Sequence, residues 1–330
     1  MHSFGQGRRG TAALAIGLAT TALAVAACGS SKKSSGSAGG GKNYKMTLIA
    51  GVKGDEFYIT MNCGAQAEAK KLGVSLNFQG PDQFDPSLQT PVVNAVAAKK
   101  PDAVLVAPTD SKAMFAPINA LKTNGSKVVL VDTTLDDTSI AESQIASDNL
   151  GGGKAAADTL AKLIGGKGKV LVVNVKPGIS TTDLRAKGFA DEAKKLGLTY
   201  VGQQFDNDDP ARASSIVTAE LARYPDLKGI FATNLFSAEG SASGLRSAGK
   251  LSKVKIVGFD AGPKQVKDLQ DGVVQGLVAQ RPAQIGADGV QQAYNALTGK
   301  PVKKKIGTGF ISLTKSNLSA NQDALYKSHC

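Results

Sequence analysis

One stretch of this chain is written twice. Residues 64–76 (GAQAEAKKLGVSL) return at 188–200 (GFADEAKKLGLTY), an offset of 124. At that offset Pro101 and Asp102 fall on Pro225 and Asp226, and Thr109 and Asp110 fall on Thr233 and Asn234. One strand later, residues 128–132 (VVLVD) correspond to 256–260 (IVGFD). An Ala/Lys-rich helix alone can match by composition, but matching segment ends downstream cannot. The chain must therefore build two similar bodies. Its 330 residues agree, since single cores stop growing at about 250–300 residues.

Within each copy, short β-branched runs alternate with helical stretches. The first reads strand 46–52, helix 56–72, strand 74–79, helix 86–99, strand 103–107, helix 112–123 and strand 127–132. The second reads helix 150–164, strand 169–175, helix 183–196, strand 198–205, helix 211–223, strand 229–233, helix 238–248 and strand 254–260. This order implies α/β bodies with open parallel sheets covered by helices on both faces. Phe57, Met61, Ala65 and Ala69 recur every four residues and form the stripe that faces the sheet. In such sheets ligands bind outside the carboxyl ends of the strands. Lys53, Gly54 and Asp55, Thr109 and Asp110, and Asp132 stand there in the first body, with Asn234 and Asp260 in the second. Singly, each would serve as a helix cap or turn residue. Their repetition points to one ligand held from both sides.

Composition removes several chemistries. The chain has no Trp and two His, His2 and His329, neither inside the duplicated body. A Ser-His-Asp or Cys-His hydrolase lacks its base, and a zinc site lacks ligands. No metal and no cofactor are expected. Residues 36–42 have phosphate-loop spacing, but Asn43 replaces the Ser/Thr that would hold magnesium, and the segment is linker. The glycines at 151–153 suit close backbone contact. The acidic run 206–209 lacks the glycine a calcium loop needs at Ala211 and reads as a loop at the cleft rim.

Residues 1–27 have a basic start at Arg8 and Arg9, then an apolar, Ala-rich run ending in small residues before Cys28. This is an export signal, not a spanning helix. The stretch 23–30 (LAVAACGS) looks like a lipobox, which makes Cys28 the lipidated first residue of the mature protein. The Ser, Gly and Lys of residues 30–41 form a leash. The formal charge of +12 includes the two leader arginines, so +10 remains, which suits an anionic membrane or wall surface. Nucleic acid is not expected as a partner, because no arginine-rich run with interleaved aromatics exists. Cys63 and Cys330 then remain in an oxidising compartment, where a disulfide between them is expected. The closed loop is long enough to contribute roughly 5 kcal/mol on the chain-entropy account.

Residues 145–149 (IASDN) with Gly152, Gly153 and Lys154, residues 185–189 (RAKGF), 257–260 (VGFD) and 280–286 (QRPAQIG) complete a pattern. Over about residues 44–310 the chain resembles the type I periplasmic sugar-binding proteins of ABC importers, the ribose-binding form above all. The resemblance implies two Rossmann-like lobes joined by a three-strand hinge near Ser147, Gln280 and Gly309. The first lobe would comprise residues 44–147 and 281–309, the second 148–280 and 310–316, with a tail at 317–330 and residues 282–299 returning to the first lobe as a helix. It places Asp55, Phe57, Tyr58 and Asp132 on one wall of the cleft and Arg185, Asn234, Asp260 and Gln280 on the other.

Three departures mark the pocket. Ribose-type members usually have Arg where Thr133 stands, an aromatic where Asp208 stands, and Asn-Pro where Asp55 and Glu56 stand. Thr133 and Asp208 become rim candidates. The ligand expected is another pentose, a hexose, a sugar alcohol or a cyclitol as readily as ribose, and not a phosphorylated sugar. The function implied is that of a lipid-anchored, extracytoplasmic solute receptor. A monomer is expected, delivering its ligand to a permease powered by a separate ATPase and performing no bond chemistry. The alternative is a sugar or autoinducer receptor for a membrane signalling system. An exported enzyme using Asp132 and Asp260 as a carboxylate pair is the least favoured reading.

Overall fold

The computed structural model describes residues 43–330. The expected leader, Cys28 and the leash lie outside the described residues. The first sheet holds β1 (Lys45–Ile49), β2 (Ser75–Gln79), β3 (Ala103–Val106), β4 (Lys127–Val131), β5 (Ser143–Ser147) and β11 (Lys305–Thr308) in the order β11-β5-β4-β3-β1-β2. The second holds β6 (Lys169–Asn174), β7 (Thr199–Phe205), β8 (Leu227–Ala232), β9 (Lys255–Phe259), β10 (Gly276–Ala279) and β12 (Ile311–Leu313) in the order β12-β10-β9-β8-β6-β7. All pairings are parallel except β10 with β12. The chain passes between the sheets at 147–149, 280–282 and 308–311.

Strand alternation sorts the core. In the first sheet Leu48, Leu105, Val129 and Val131 pack with Met61 and Ala65 of α1 (Glu56–Leu72) and Ile285 and Val290 of α9 (Pro282–Thr298). Their neighbours Ile49, Val104, Val106, Val128 and Leu130 face the other way, onto Val93 and Val96 of α2 (Pro86–Lys99) and Ile118 and Leu121 of α3 (Phe115–Thr123). The second sheet repeats the scheme. Val170, Val172, Phe231 and Phe259 meet Ala157 and Leu160 of α4 (Asn149–Ile164) and Phe189 of α5 (Ser180–Lys195). On the opposite face Leu171, Ile230 and Ile256 meet Val217 of α6 (Pro210–Arg223) and Leu245 of α7 (Leu235–Ser247).

The duplicated letters have a packing reason. A Cβ on Gly64 of α1 would lie 1.9 Å from the Ala283 carbonyl oxygen of α9, and one on Gly286 of α9 would lie 2.0 Å from that of Met61. In the second lobe a Cβ on Gly188 of α5 would lie 2.2 Å from the Leu150 oxygen, and one on Gly153 of α4 would lie 2.1 Å from the Arg185 oxygen. Each lobe therefore crosses one helix pair backbone to backbone through two glycines, and Gly64 and Gly188 are the equivalent positions that open the repeat. Of the glycines at 151–153, Gly153 alone makes the expected backbone contact; a Cβ on Gly152 would meet the Phe259 ring instead, and one on Gly151 the Asp148 side chain.

Several boundaries differ from the pattern reading. Helix α5 starts at Ser180 and α7 at Leu235, each three residues early, the latter because the Asn234 side chain caps it by accepting from the Ser237 amide at 3.0 Å. Helix α3 starts late, at Phe115, because Asp110 accepts the amides of Lys112 and Ala113 and holds 111–114 as a turn. Short β10, β12 and α8 (Pro263–Gln270) carry too few residues for a periodic signal.

Beyond β12 a 3-10 helix (Leu318–Ala324) leads to Cys330, which is bonded to Cys63 on α1 with Cα atoms 5.4 Å apart. Among the described residues, no helix is long and apolar enough to cross a membrane.

Candidate functional site

The carboxyl ends of both sheets face one chamber between the lobes. Asp55, Phe57, Tyr58 and Asp132 line it from the first lobe. Arg185, Asn234, Asp260 and Gln280 line it from the second lobe and its hinge strand.

Asp132 and Asp260 are set by the same device. Each follows the last residue of a strand, β4 or β9, and donates its amide to the next strand, to Ile145 O at 2.8 Å and to Val278 O at 2.9 Å. Each has left-handed backbone, φ 62° and 80°. Asp tolerates that region better than most residues, and non-glycine residues held there cluster at functional sites. The Tyr58 hydroxyl donates to Asp132 Oδ2 at 2.8 Å, and Gln280 Nε2 donates to Asp260 Oδ1 at 2.6 Å. The Ser147 hydroxyl donates to Gln280 Oε1 at 2.7 Å, linking two of the hinge strands to this wall.

Asp55 caps α1, its Oδ1 accepting the Phe57 amide at 2.7 Å. Capping and chamber lining are thus one placement, as they are for Asn234. Arg185 is 3% exposed. Its Nε donates to Asn149 Oδ1 at 2.8 Å, its Nη1 to Thr233 O at 2.9 Å, and its guanidinium lies 3.8 Å above the Phe259 ring. The fork is thereby fixed in direction before any ligand arrives.

Asp208 belongs to the chamber rather than only to its rim. Asn207 and Asp208 have left-handed backbone, φ 59° and 64°, and this double turn after β7 brings the Asp208 carboxylate inward to accept from Asn234 Nδ2. Thr133 does not line the chamber. Left-handed Asp132 turns the chain so that Thr133 borders a separate crevice with Ser147, Asn149 and Thr181, its hydroxyl buried without a hydrogen bond. Thr109 is spent on the core, donating to Gln89 Oε1 at 3.0 Å.

Sequence reasoning missed Phe84, Val175, Ile179, Thr181 and Thr182, which complete the lining. The last four follow strand β6, so the strand-end rule reaches them. Phe84 sits in the connection after β2 and no pattern singles it out.

The lobes are closed on each other. Lys176 Nζ donates to Phe84 O at 3.0 Å, the Ser111 amide to Gly178 O at 3.0 Å and the Thr134 amide to the Ser180 hydroxyl at 2.9 Å, each bond crossing the cleft. Outside this latch lies a wider vestibule bordered by Asp82, Asp85, Asp206, Asp209, Lys176 and Arg212.

Four carboxylates thus share the chamber with one guanidinium. Burial pushes Asp132 up to about 6 against the pull of Arg185, and pushes Asp208 up to about 7 against the Asn234 hydrogen bond. Asp55 is raised well above the usual range by burial and by Asp260 and Asp208. Asp260 is raised by burial, partly offset by Arg185, Gln280 and Tyr326. In the unfolded chain these groups titrate near 3.8, so the folded protein retains protons the unfolded chain has released. Their stabilisation is complete below about pH 4 and is lost as pH rises through 6 and 7. The melting temperature of the unliganded protein is accordingly expected to fall between pH 5 and pH 8. In D132N/D208N that fall should shrink, and an unchanged slope in the double variant contradicts the assignment.

A pair of parallel-sheet lobes, closed on a polar chamber that both furnish, defines a bilobal solute receptor. The chain belongs to the periplasmic binding protein family, whose domain model matches residues 46–301. It is 31% identical over 260 residues to the ribose import binding protein of Escherichia coli, covering 79% of this chain and 87% of that protein. Against the ribose import binding protein of Bacillus subtilis it is 30% identical over 268 residues, covering 81% and 86%. An ABC transporter solute-binding protein from Agrobacterium vitis, solved with α-D-tagatopyranose, superposes with TM-score 0.84 at 44% identity, covering 86% of this chain and 99% of that one. A carbohydrate transporter solute-binding protein from Agrobacterium radiobacter, in complex with D-arabinose, gives TM-score 0.82 at 28% identity, covering 87% and 99%. The chain is therefore a solute-binding transport protein of this family, with an extracytoplasmic place of work, and not an enzyme; the relatives and neighbours named above are sugar-binding proteins of ABC transporters.

Proposed function

We propose that the chamber binds one neutral, hydroxyl-rich monosaccharide or cyclic polyol, held by Asp55, Asp132, Asp208 and Asp260 as acceptors and by Arg185, Asn234 and Gln280 as donors. The carrying observation is the ratio of four buried carboxylates to one guanidinium. Ligand hydroxyls are donors as well as acceptors, and charge-assisted hydrogen bonds of this kind contribute about 1.5–3 kcal/mol each. An anionic sugar phosphate would meet four buried carboxyl groups against a single guanidinium, a set that disfavours further negative charge. Phe57, Tyr58 and Phe84 offer apolar faces to the C–H side of a ring. The 44% identical neighbour bound to α-D-tagatopyranose supports a six-membered ring.

A thermal-shift panel of D-tagatose, D-arabinose, D-allose, D-ribose and myo-inositol tests this. A cognate ligand at a hundredfold its dissociation constant adds about 2.7 kcal/mol, a rise of several degrees. No shift with any hydroxyl-rich compound, or a shift only with phosphorylated ones, overturns the reading.

In the cell the protein works as a monomer tethered through lipid on Cys28, and its closed form presents both lobes to a permease driven by a separate ATPase. Cys28→Ser is expected to release the protein from membranes into the soluble extracytoplasmic fraction. Membrane retention of that variant at the wild-type level removes the anchor from the account. The Cys63–Cys330 bond fits the same oxidising compartment.

A further inference from the structure

The tail after β12 begins on the second lobe and ends on the first. The Tyr326 amide donates to Ala261 O at 3.0 Å, and its hydroxyl donates to Asp260 Oδ1 at 3.0 Å while accepting the Gln280 amide at 3.0 Å. One residue on, the Lys327 amide donates to the Thr60 hydroxyl of α1 at 2.7 Å, and Cys330 is bonded to Cys63 on the same helix. The Tyr326 ring lies 5.9 Å from that of Phe57, on the opposite wall. The chain therefore crosses between the lobes a fourth time within residues 326–330, and this crossing is covalently closed. Four residues reach at most about 14 Å when fully extended. The lobes cannot part further at this edge unless Tyr326 leaves Asp260 and Gln280.

We propose that Tyr326 is a positioning residue for the Asp260–Gln280 pair of the ligand wall, and that the Cys63–Cys330 bond holds it there as a fourth link limiting how far the lobes open. The proposal rests on the reading of the chamber as the ligand site. Gln280 is both a hinge residue and a wall residue. Its amide and its side chain are oriented through one hydroxyl and one carboxylate oxygen, so releasing the tail loosens the hinge and the wall together. A tail that only covered apolar surface would not place a hydroxyl between two polar groups of the chamber.

The test uses the full chain, first without ligand. Exchange of the Gln280 amide, which donates to the Tyr326 hydroxyl, is expected to rise at least tenfold in Y326F and in C330S. The Ile230 amide in β8 should keep its wild-type rate and so report intact folding. Asp260 is faced by Arg185 from α5, by Gln280 and Tyr326, and by Asp55, Asp132 and Asp208 across the chamber. Loss of one donor should move its carboxyl carbon titration to higher pH in Y326F. Calorimetry with D-tagatose, D-arabinose and D-allose should show about a tenfold weaker affinity in Y326F and a faster off-rate in C330S. An unchanged Gln280 amide in C330S overturns the link. An unchanged Asp260 titration in Y326F overturns the positioning role. Wild-type protein that binds none of these sugars defeats the ligand reading instead, and the exchange and titration results then decide the tail by themselves.

Discussion

Arg185→Ala is expected to weaken sugar binding by at least a hundredfold. The side chain is the one cation of the chamber, and Asp132 and Asp260 both feel it as the main influence opposing burial. Its removal takes away charge-assisted donors and leaves four buried carboxylates to repel one another, so protons rather than hydroxyls would occupy them at neutral pH. Asn149 Oδ1 and Thr233 O lose their partner as well, at about 1–3 kcal/mol for each unsatisfied group. The variant should therefore melt lower but still fold. Arg185→Lys keeps the charge without the planar fork that bonds Asn149 and Thr233 at once, and is expected to recover only part of the affinity. Calorimetry against the sugar found in the thermal panel, with circular dichroism to confirm the fold, is the measurement. Affinity within threefold of wild type in Arg185→Ala would remove the guanidinium from the site.

Gly153→Val should be among the most damaging single changes to the scaffold. The new Cβ would sit 2.1 Å from the Arg185 carbonyl oxygen and 3.0 Å from the Phe189 amide nitrogen, both backbone atoms that no rotamer change can move. Helices α4 and α5 would have to separate. Overpacking of a core commonly costs 1–3 kcal/mol, and a clash with backbone belongs to the exceptional class above about 4 kcal/mol. For a body of this size that lowers the melting temperature by about 7 °C or more. Gly54→Ala is the control, since a Cβ there meets nothing within 4 Å and φ is not left-handed. Equal melting of the two variants would refute the backbone crossing.

The duplication and strand alternation made the layers legible, because buried parallel strands and their covering helices leave period and composition in the letters. The eight residues expected on the walls line one chamber because they sit at strand ends, where topology dictates the direction of approach. Asp208 and Thr133 were legible as positions but not as orientations. Left-handed backbone at 132, 207 and 208 decides which way each side chain turns, and Asp in a loop does not announce that conformation. Phe84 and Tyr326 reach the site from a loop and from the tail, far in sequence from the strand ends they meet. Only tertiary packing brings them there.

The left-handed geometry at Asp132, Asp208 and Asp260 also bears on anyone who would retarget this receptor to new cargo. Those three stations admit Asp, Asn or Gly at little strain and resist β-branched or bulky replacements. Selection for altered preference should hence accumulate its changes at Phe84 and Thr182, where the backbone is not left-handed, and at Asp55 only among residues that still cap α1. The three aspartates would persist as fixed fittings around which taste is varied.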